Sequence, residues 1–440
     1  MAAYQWPRTG SNPLEEDTVR DIIATSVPES NHSMSISFLN GLRVLDCTSL
    51  VAGPFCGKLL ADAGADVIKI ESPKGDISRH RGPFPSDHPN PEKSLLHHYV
   101  NVNKRGVTLD LDHEAGREAF RRLVKASDML IEDKSPGDLA AMGLSYEDLE
   151  RVNPNLIMIS MTPFGQTGPH THWKAYNLNS IHAGGEGWLM PPGLAQRTFP
   201  DREPLKTGAY VGEYYCGVTA ASAAMIAIFG RAAMGRGQHV DMSKQEAHAT
   251  LARIAIGMWA QSGFVETRAT RDIPYGGCVP CKDGHAEVLF HIADNHWKGF
   301  VRMMGDPEWA HDPKFDSQQG RSEHGAEVNK HLFAWAKTRT KREIYDEGLK
   351  HGFPCGIFYA PSEIAASEHE QARGFFVELS EQTPIDGMTK IPGLPFQFSD
   401  HTYTIERFAP VLGEHTTEVL RDVGGYTTEE ISLLRNVGAV

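Results

Sequence analysis

The alternation of short apolar runs with amphipathic stretches between residues 42 and 161 constrains the fold of this chain more than any other feature. The runs LRVLDC, ADVIKIE, VTLDL, DMLIED and LIMISM have the length and composition of strands, and segments with helical periodicity separate them. Strands that alternate with helices form parallel sheets with right-handed crossovers. The pattern therefore predicts an α/β fold with a parallel sheet.

The remaining segments are predicted from their glycine, proline and alanine content. Glycine and proline become frequent between Gly165 and Gly208, which predicts loops over the carboxyl ends of the strands, where open sheets bind ligands. The alanine-rich run from Tyr215 to Gly235 predicts a buried helix that ends in glycine. Near Ile273 a glycine turn and a hairpin pattern predict a second domain, with helices at 292–304 and 326–349.

Composition and charge limit the classes of partner. The 440 residues are 40% hydrophobic, and 56 acidic against 43 basic residues give a net charge of −13, so we expect no nucleic-acid partner. The longest small-apolar run, 218–229, is too short to span a bilayer, and the acidic N-terminal stretch is unlike a targeting sequence. With six scattered cysteines, we expect a cytoplasmic protein without membrane insertion.

One cysteine pair raises the question of a metal site. Cys278 and Cys281 have the spacing of a zinc knuckle or redox pair, but no second pair of ligands lies at a fitting spacing. The sequence also lacks Walker, GxSxG and GxGxxG motifs. We therefore predict neither a metal site nor a covalently bound cofactor.

Two polar motifs are candidates for chemistry. Glu213, in KTGAYVGEYYCG, precedes a long apolar run, so it is either a residue that stabilises a helix N-terminus or a carboxylate that attacks a thioester. Spacing alone leaves both open. Asn103, Lys104 and Arg105 form a cationic turn before a strand, able to meet phosphates or to remain solvated.

Several motifs in a fixed order carry a resemblance to a known family. The stretches GLRVLDCTSLVAGPFCGKLLADAGADVIKIESPKGD, NVNKRGVTLDL, AMGLSYEDLERVNPNLI, PFGQTGP, MGRGQHVDMSKQEA, PGLPFQFS and APVLGEHTTEVL resemble the class III CoA-transferase family, which also contains α-methylacyl-CoA racemases. The resemblance covers about Gly41 to Val440. It implies a transferase that exchanges CoA between an acyl-CoA and a carboxylic acid acceptor, with both as substrates.

The resemblance implies a fold and an assembly. We expect a Rossmann-like large domain, a smaller α+β domain and an interlocked dimer with CoA between the subunits. The expected division is an N-terminal arm at 1–38, the large domain at 39–250, a linker at 251–272, the small domain at 273–375 and a return to the large domain at 376–440. The partner is a second copy or a homologous subunit.

The resemblance also assigns residues. The family's nucleophilic aspartate falls on Glu213, one methylene longer, within GEY. Predicted contacts to CoA are Ser49, Leu50, Val51, Ala52, Leu109, Lys134, Lys174, Gly276 and Gly277, together with the turn Asn103, Lys104 and Arg105. By their position in the sequence, His182, Glu186, Trp188 and Met190 either lie near the acyl pocket or are structural loop residues.

Departures from the family pattern keep three functions open. Asn177 replaces the racemase aspartate, and an amide cannot act as that base, which argues against racemase chemistry. Asp133, Lys134 and Ala141 replace the asparagine, aromatic residue and arginine of the loop that transferases commonly carry. The leading hypothesis is an active CoA-transferase. The alternatives are a catalytically silent subunit of a heteromeric CoA-transferase and an acyl-CoA isomerase or lyase on the same scaffold.

Overall fold

A six-stranded parallel sheet forms the centre of the larger part of the molecule. The computed structural model describes residues 34–271, 273–379, 383–385 and 387–440. The strands are β1 (Arg43–Cys47), β2 (Asp66–Glu71), β3 (Arg105–Thr108), β4 (Met129–Glu132), β5 (Ile157–Thr162) and β6 (Gln238–Ser243). They are parallel in the order β3-β2-β1-β4-β5-β6, which is the order of dinucleotide-binding folds. The predicted α/β fold is confirmed.

Helices cover both faces of this sheet, and its central strands β4 and β5 are therefore buried throughout. Every residue of β4 and β5 is buried. One face packs on the helices Glu114–Lys125, Thr416–Asp422 and Thr428–Asn436, and the other on Ala52–Asp62 and Val211–Met234. The shorter helices of this part are Leu95–Asn101, Asp138–Ala141, Tyr146–Val152, Asn177–Ala183, Leu194–Thr198, Lys244–Ala249 and Arg253–Ser262.

A second, smaller α+β unit has its own core. Its antiparallel sheet places Gly284–Val288 between Gly277–Cys281 and Cys355–Ile357. Phe290 and Phe300 stack in its core with ring centroids 3.9 Å apart. Its helices are Asp294–Met303, Gln318–Glu323, Gly325–Ala336 and Lys341–His351.

Short elements complete the described chain. Met34–Ser35 pairs in parallel with His401–Thr402, and Phe376–Glu378 pairs antiparallel with Lys390–Pro392. The short helices Pro361–Ala365 and Glu368–Ala372 precede the second pair, and single 3₁₀ turns lie at Ile77–His80, Pro85–Asp87, Glu186–Leu189, Glu308–His311 and Pro313–Phe315.

The structure corrects two helix predictions. The predicted helix at 326–349 is two helices, because Thr340 caps Lys341–His351 in a reciprocal hydrogen-bonded pair with Glu343. The predicted buried helix extends over Val211–Met234 and does end at Gly235, in a left-handed conformation. It is buried on one face only, since Ile226 and Phe229 are 73% and 74% exposed.

This long helix is bound to the sheet by close packing. A side chain at Gly217 would place its Cβ 2.7 Å from the carbonyl oxygen of Ala52, so glycine lets the two helices approach. Among the described residues it is the one helix long and apolar enough to cross a membrane, although a core helix passes the same test. This helix packs against Ala52–Asp62, and the two helices together cover one face of the sheet.

Candidate functional site

The candidate site lies beyond the carboxyl ends of β1 and β4. The strand order of the sheet reverses between these two strands, and open α/β sheets bind ligands at such a point. The loop after β1 is held by the loops after β4 and β2. Ser49 donates from its backbone N and its Oγ to Oδ2 of Asp133, at 2.8 and 2.9 Å. Leu50 donates its N–H to Oδ1 of Asp76 at 3.1 Å, in a left-handed conformation with φ of 67° that is uncommon for leucine. The loop is therefore fixed from two sides in a strained shape.

A buried charge network underlies this loop. Nζ of Lys69 lies 3.0 Å from Asp76 and 3.8 Å from Asp46, and it also donates to the carbonyl of Thr48. Burial opposes ionisation of Asp76, but Lys69 and hydrogen bonds from Ser78 hold its pKa below its ordinary value. An ionised network of this kind holds the loop rigidly, as a binding site requires.

Glu213 lies in the first turn of the helix Val211–Met234 and is 4% exposed. Its Oε2 accepts a hydrogen bond from Nζ of Lys244 at 2.8 Å. Among the described residues, no hydrogen bond reaches its Oε1. Burial would lower the pKa of Lys244, but the charge of Glu213 raises it above its ordinary value, with a smaller contribution from Asp133. The structure thus offers a carboxylate with one oxygen held by a cation and the other without a hydrogen-bond partner in the described part of the chain.

His248 and Cys216 fix the start of this helix. Nε2 of His248 lies 3.1 Å from the carbonyl oxygen of Gly212 and 3.4 Å from Sγ of Cys216. The histidine is fully buried, and its Nδ1 has no partner in the described part of the chain. Burial raises the pKa of Cys216 to about 12, so this thiol is not a nucleophile at neutral pH. These contacts position the backbone next to Glu213.

The structure brings Glu213 close to the predicted loop of residues 49–52. Gly217, one turn beyond Glu213, packs on Ala52. The charge of Asp133, in the loop after β4, contributes to raising the pKa of Lys244. Val51 and Ala52 are buried, at 0% and 1% exposure. The segment 177–184 also packs here, because a side chain at Gly184 would lie 2.4 Å from Cβ of His248.

The lysine of the cationic turn at 103–105 joins the same buried network through Asp46. Nζ of Lys104 is fully buried and donates to Asp46, the carbonyl of Pro54 and Asn101, at 2.8, 2.7 and 2.9 Å. Burial lowers its pKa to about 8, against the attraction of Asp46. The phosphate contact of this lysine stays a prediction, and within this chain its three donors have internal partners.

The neighbours of Lys104 have internal partners too. Asn103 donates to Asp62 at 2.9 Å and accepts from the backbone of residues 406 and 407. Arg105 forms a bidentate pair with Asp66 at 2.6 and 2.8 Å and bonds Glu418 at 2.9 Å. Both side chains fasten β3 to neighbouring segments.

Other predicted CoA contacts are dispersed. Leu109 is buried in the core beyond β3, and Lys174 is exposed. The side chain of Lys134 is 37% exposed, 3.7 Å from Asp133. Gly276 and Gly277 are buried in the small unit, where a side chain at Gly276 would lie 2.4 Å from the carbonyl of Val288. Within this chain, these glycines form a packed turn.

The predicted acyl-pocket segment is partly held by contacts of its own. Trp188 is 56% exposed, and its Nε1 donates to the carbonyl of Glu266 at 3.1 Å. Glu186 lies 3.6 Å from Arg271, and His182 packs under Gly187. Asn177, at the racemase position, donates to the carbonyl of Ala209 at 3.2 Å. Met190 is half-buried, and the assignment of the pocket stays a prediction.

Sequence reasoning missed Lys244, and it gave Asp133 no structural role. Lys244 lies inside the motif MGRGQHVDMSKQEA, thirty-one positions from the carboxylate it contacts. Its one local signal is a cation at the first residue of a helix, where the helix dipole disfavours positive charge. In the described part of the chain, no group of three or more His, Cys, Asp or Glu side chains is arranged to hold a metal ion.

Fold and site define an α/β enzyme scaffold with a buried carboxylate at the ligand-binding edge of its sheet. The model of CoA-transferase family III matches residues 39–416. The chain therefore belongs to CoA-transferase family III.

Individual relatives agree with this assignment. The chain is 34% identical to the Succinyl-CoA:(R)-benzylsuccinate CoA-transferase subunit BbsE of Thauera aromatica, over 90% of this chain and 97% of that one. It is 32% identical to the Succinyl-CoA--D-citramalate CoA-transferase of Chloroflexus aurantiacus, over 90% and 96%. Among solved structures, a CAIB/BAIF family protein from Brucella suis matches with a TM-score of 0.78 and 29% identity, covering 88% of this chain and all of that one. The predicted family and transferase class are confirmed.

Proposed function

We propose that the protein transfers CoA from an acyl-CoA to a carboxylic acid through the carboxylate of Glu213. One observation carries this proposal: Oε2 is held by Lys244 at 2.8 Å, whereas Oε1 has no hydrogen-bond partner among the described residues. A carboxylate nucleophile must be ionised and must keep one oxygen available for attack. The position of Glu213, beside the loop of residues 48–52 at the switch point, is where an α/β sheet binds its ligand.

The proposed reaction proceeds in four exchanges. Oε1 attacks the thioester carbonyl, the C–S bond breaks, and a mixed anhydride forms with CoA as the thiolate. The thiolate then attacks Cδ of Glu213 and releases the first acid, leaving a glutamyl-CoA thioester. The acceptor carboxylate attacks this thioester, and CoA finally attacks the acceptor's carbonyl in the new anhydride, which restores Glu213. Atoms and charges balance without a further reagent.

We propose that CoA lies along the loops after β1 and β4. Ser49, Leu50, Val51 and Ala52 form the loop next to the site, and Lys134 supplies a partly exposed cation at the same edge. Lys174 is exposed and available for the same role. We assign no CoA contact to Asn103, Lys104 and Arg105, because their side chains bind partners within this chain.

We further propose an interlocked dimer in the cytoplasm, with the domains divided at 39–250, 251–272, 273–375 and 376–440. The exposed apolar faces of two helices support a partner subunit, since Phe229 and Trp259 are 74% and 62% exposed. The six cysteines form no disulfide, consistent with a reducing compartment. A molar mass measured by light scattering distinguishes monomer from dimer.

Trapping of the acyl-enzyme tests the proposed function. The names of both CoA-transferase relatives include succinyl-CoA, so succinyl-CoA is the first donor to use. Incubation with hydroxylamine followed by peptide mass analysis should show a hydroxamate at Glu213 and at no other carboxylate. Unmodified peptide from protein that turns over the donor would refute the nucleophile assignment.

A second candidate function is that of a silent subunit in a heteromeric transferase. Similarity to BbsE, which is named as a subunit, and the loop residues Asp133, Lys134 and Ala141 favour it. It predicts that the purified chain binds CoA weakly and turns over only with a homologous subunit present. Turnover by the chain alone disposes of this candidate.

A further inference from the structure

Lys244 occupies a position that local structure disfavours for a cation. It is the first residue of the helix Lys244–Ala249, with Ser243 as the N-cap. Unpaired backbone N–H groups give this end of a helix partial positive charge. Places where a sequence breaks a local rule are often functional. The charge of Lys244 therefore needs an explanation outside its own helix.

Glu213 supplies that explanation. Nζ and Oε2 are 2.8 Å apart, and the two side chains are only 17% and 5% exposed. Among the described residues, Lys244 is the one cation that contacts Glu213. The other ionisable groups beside Lys244 are Asp133, from the loop after β4, and Cys216, from the long helix. The ammonium is thus directed at one oxygen of the carboxylate.

We propose that Lys244 is a second catalytic residue, and this inference rests on the proposed function of Glu213. Its ammonium selects Oε1 as the attacking oxygen by binding Oε2. It then stabilises the negative charge that develops on Oε2 when the CoA thiolate attacks Cδ of the mixed anhydride.

The charge movement makes this role specific. When the thiolate adds to Cδ, the C=O electron pair moves to Oε2, the atom that Nζ already contacts. Collapse of this intermediate breaks the anhydride bond and releases the first acid as a carboxylate. A preorganised donor at such an oxygen accelerates acyl transfer, and its loss costs on the order of 10²–10³-fold in rate. The acceptor acid's attack on the glutamyl thioester passes through the same oxyanion.

A purely structural ion pair predicts something different. Such a pair would hold the two helices together, and its loss would lower the free energy of unfolding. It would change substrate binding and turnover together, as a displaced site does. A pair in which Lys244 restrains Glu213 would instead give faster adduct formation when the lysine is removed.

The test compares Lys244→Gln, which keeps a donor without charge, with Lys244→Arg, which keeps the charge. Glu213 adduct formation from succinyl-CoA is followed in single turnovers with hydroxylamine, alongside kcat, KM and urea unfolding. We expect Lys244→Gln to slow adduct formation by about 10²-fold or more with little change in KM, and Lys244→Arg to recover most of the rate. If Lys244→Gln does not fold, Lys244→Met takes its place.

The outcomes separate this inference from the proposed function. If the wild type forms the adduct at Glu213 and Lys244→Gln forms it equally fast or faster, Lys244 is not catalytic. Glu213 then remains the nucleophile. Loss of rate in the Gln and Arg variants alike, with a matching rise in KM, makes Lys244 a structural residue. A wild type that turns over succinyl-CoA without an adduct, or does not react with it, counts against both proposals.

Discussion

Two corners of the large domain each hold a buried lysine against an acidic residue, and they differ in how completely the lysine is bound. At the corner of residues 103–105, Nζ of Lys104 has three hydrogen-bond partners and no exposure. At the corner of the long helix, the side chain of Lys244 is 17% exposed, and among the described residues its one hydrogen-bond partner is Oε2 of Glu213. A fully satisfied pair serves the fold, whereas a pair with a free oxygen retains capacity for chemistry.

The largest effect is expected at the incompletely bound corner. Glu213→Gln removes the nucleophilic oxygen with little change in shape, and we expect transfer from succinyl-CoA to fall on the order of 10⁴-fold or more. Glu213→Asp is the matched control, because it keeps a carboxylate and shortens it by one methylene. Initial rates of thioester exchange measure both. Transfer by the Gln variant near the wild-type rate would contradict the role of Glu213 as the nucleophile.

Substitution of Lys104, whose donors all have partners, should mainly lower the free energy of unfolding. Lys104→Met leaves Asp46 buried beside a single, more distant lysine, and breaking such a pair costs about 3–5 kcal/mol of unfolding free energy. The kcat of the remaining folded protein should fall far less than in Glu213→Gln, because Lys104 reaches the site only through Asp46. Urea unfolding and initial rates check both parts, with Arg342→Met in the exposed pair with Asp346 as the control expected to do little. A stable, inactive Lys104→Met protein would contradict the structural role.

A third prediction concerns Glu132, which is buried at the end of β4 and accepts a hydrogen bond from the N–H of Lys134 at 2.7 Å. Burial raises its pKa from 4.5 to about 7. The folded protein therefore holds a proton here that the unfolded chain releases, and the free energy of unfolding falls as pH rises across that window. The loss amounts to about 3 kcal/mol at most.

Glu132→Gln imitates the protonated form and should remove this loss. The variant should gain stability relative to wild type as pH rises from about 4.5 to 7, and then keep a constant difference. Urea unfolding at several pH values measures the difference, in which all other titrating groups cancel. A difference that stays flat across the window would show that Glu132 is ionised in the folded protein.

The smallest effect is expected for Lys134, the partly exposed cation at the same edge. Lys134→Met should raise the KM for acyl-CoA by about fivefold at low salt, because an exposed ion pair contributes no more than about 1 kcal/mol. Added salt should reduce the rise, and kcat should stay constant. Lys125→Met, on a helix of the opposite face, is the control. An unchanged KM at low salt removes Lys134 from the proposed CoA site.

The sequence was sufficient for five of the six strands and for the start of the helix that carries Glu213, and insufficient for β6, which is only partly buried, and for the charges around the site. Apolar runs identified the strands because strands buried on both faces carry few polar residues. The motif also placed Glu213 at a helix start. The sequence left Lys104 open between a phosphate contact and a solvated turn residue, since its partner Asp46 lies far away along the chain. Lys244 was missed for the same reason, because its ion pair exists only after β6 has joined the sheet.

Two errors in the helices have local causes. The break before Lys341 depends on one threonine that caps a helix in a stretch otherwise periodic enough to continue. The outer face of the long helix is apolar although exposed in the single chain, so composition indicated complete burial. A partner subunit over that face would account for both its composition and its exposure.

The most direct test is a map of every carboxylate in the chain after reaction with succinyl-CoA and reduction with borohydride, which converts an enzyme thioester to an alcohol. We expect one reduced side chain, at Glu213, and none in Glu213→Gln. A reduced residue elsewhere, or turnover with every carboxylate intact, would contradict the assignment of Glu213 as the nucleophile.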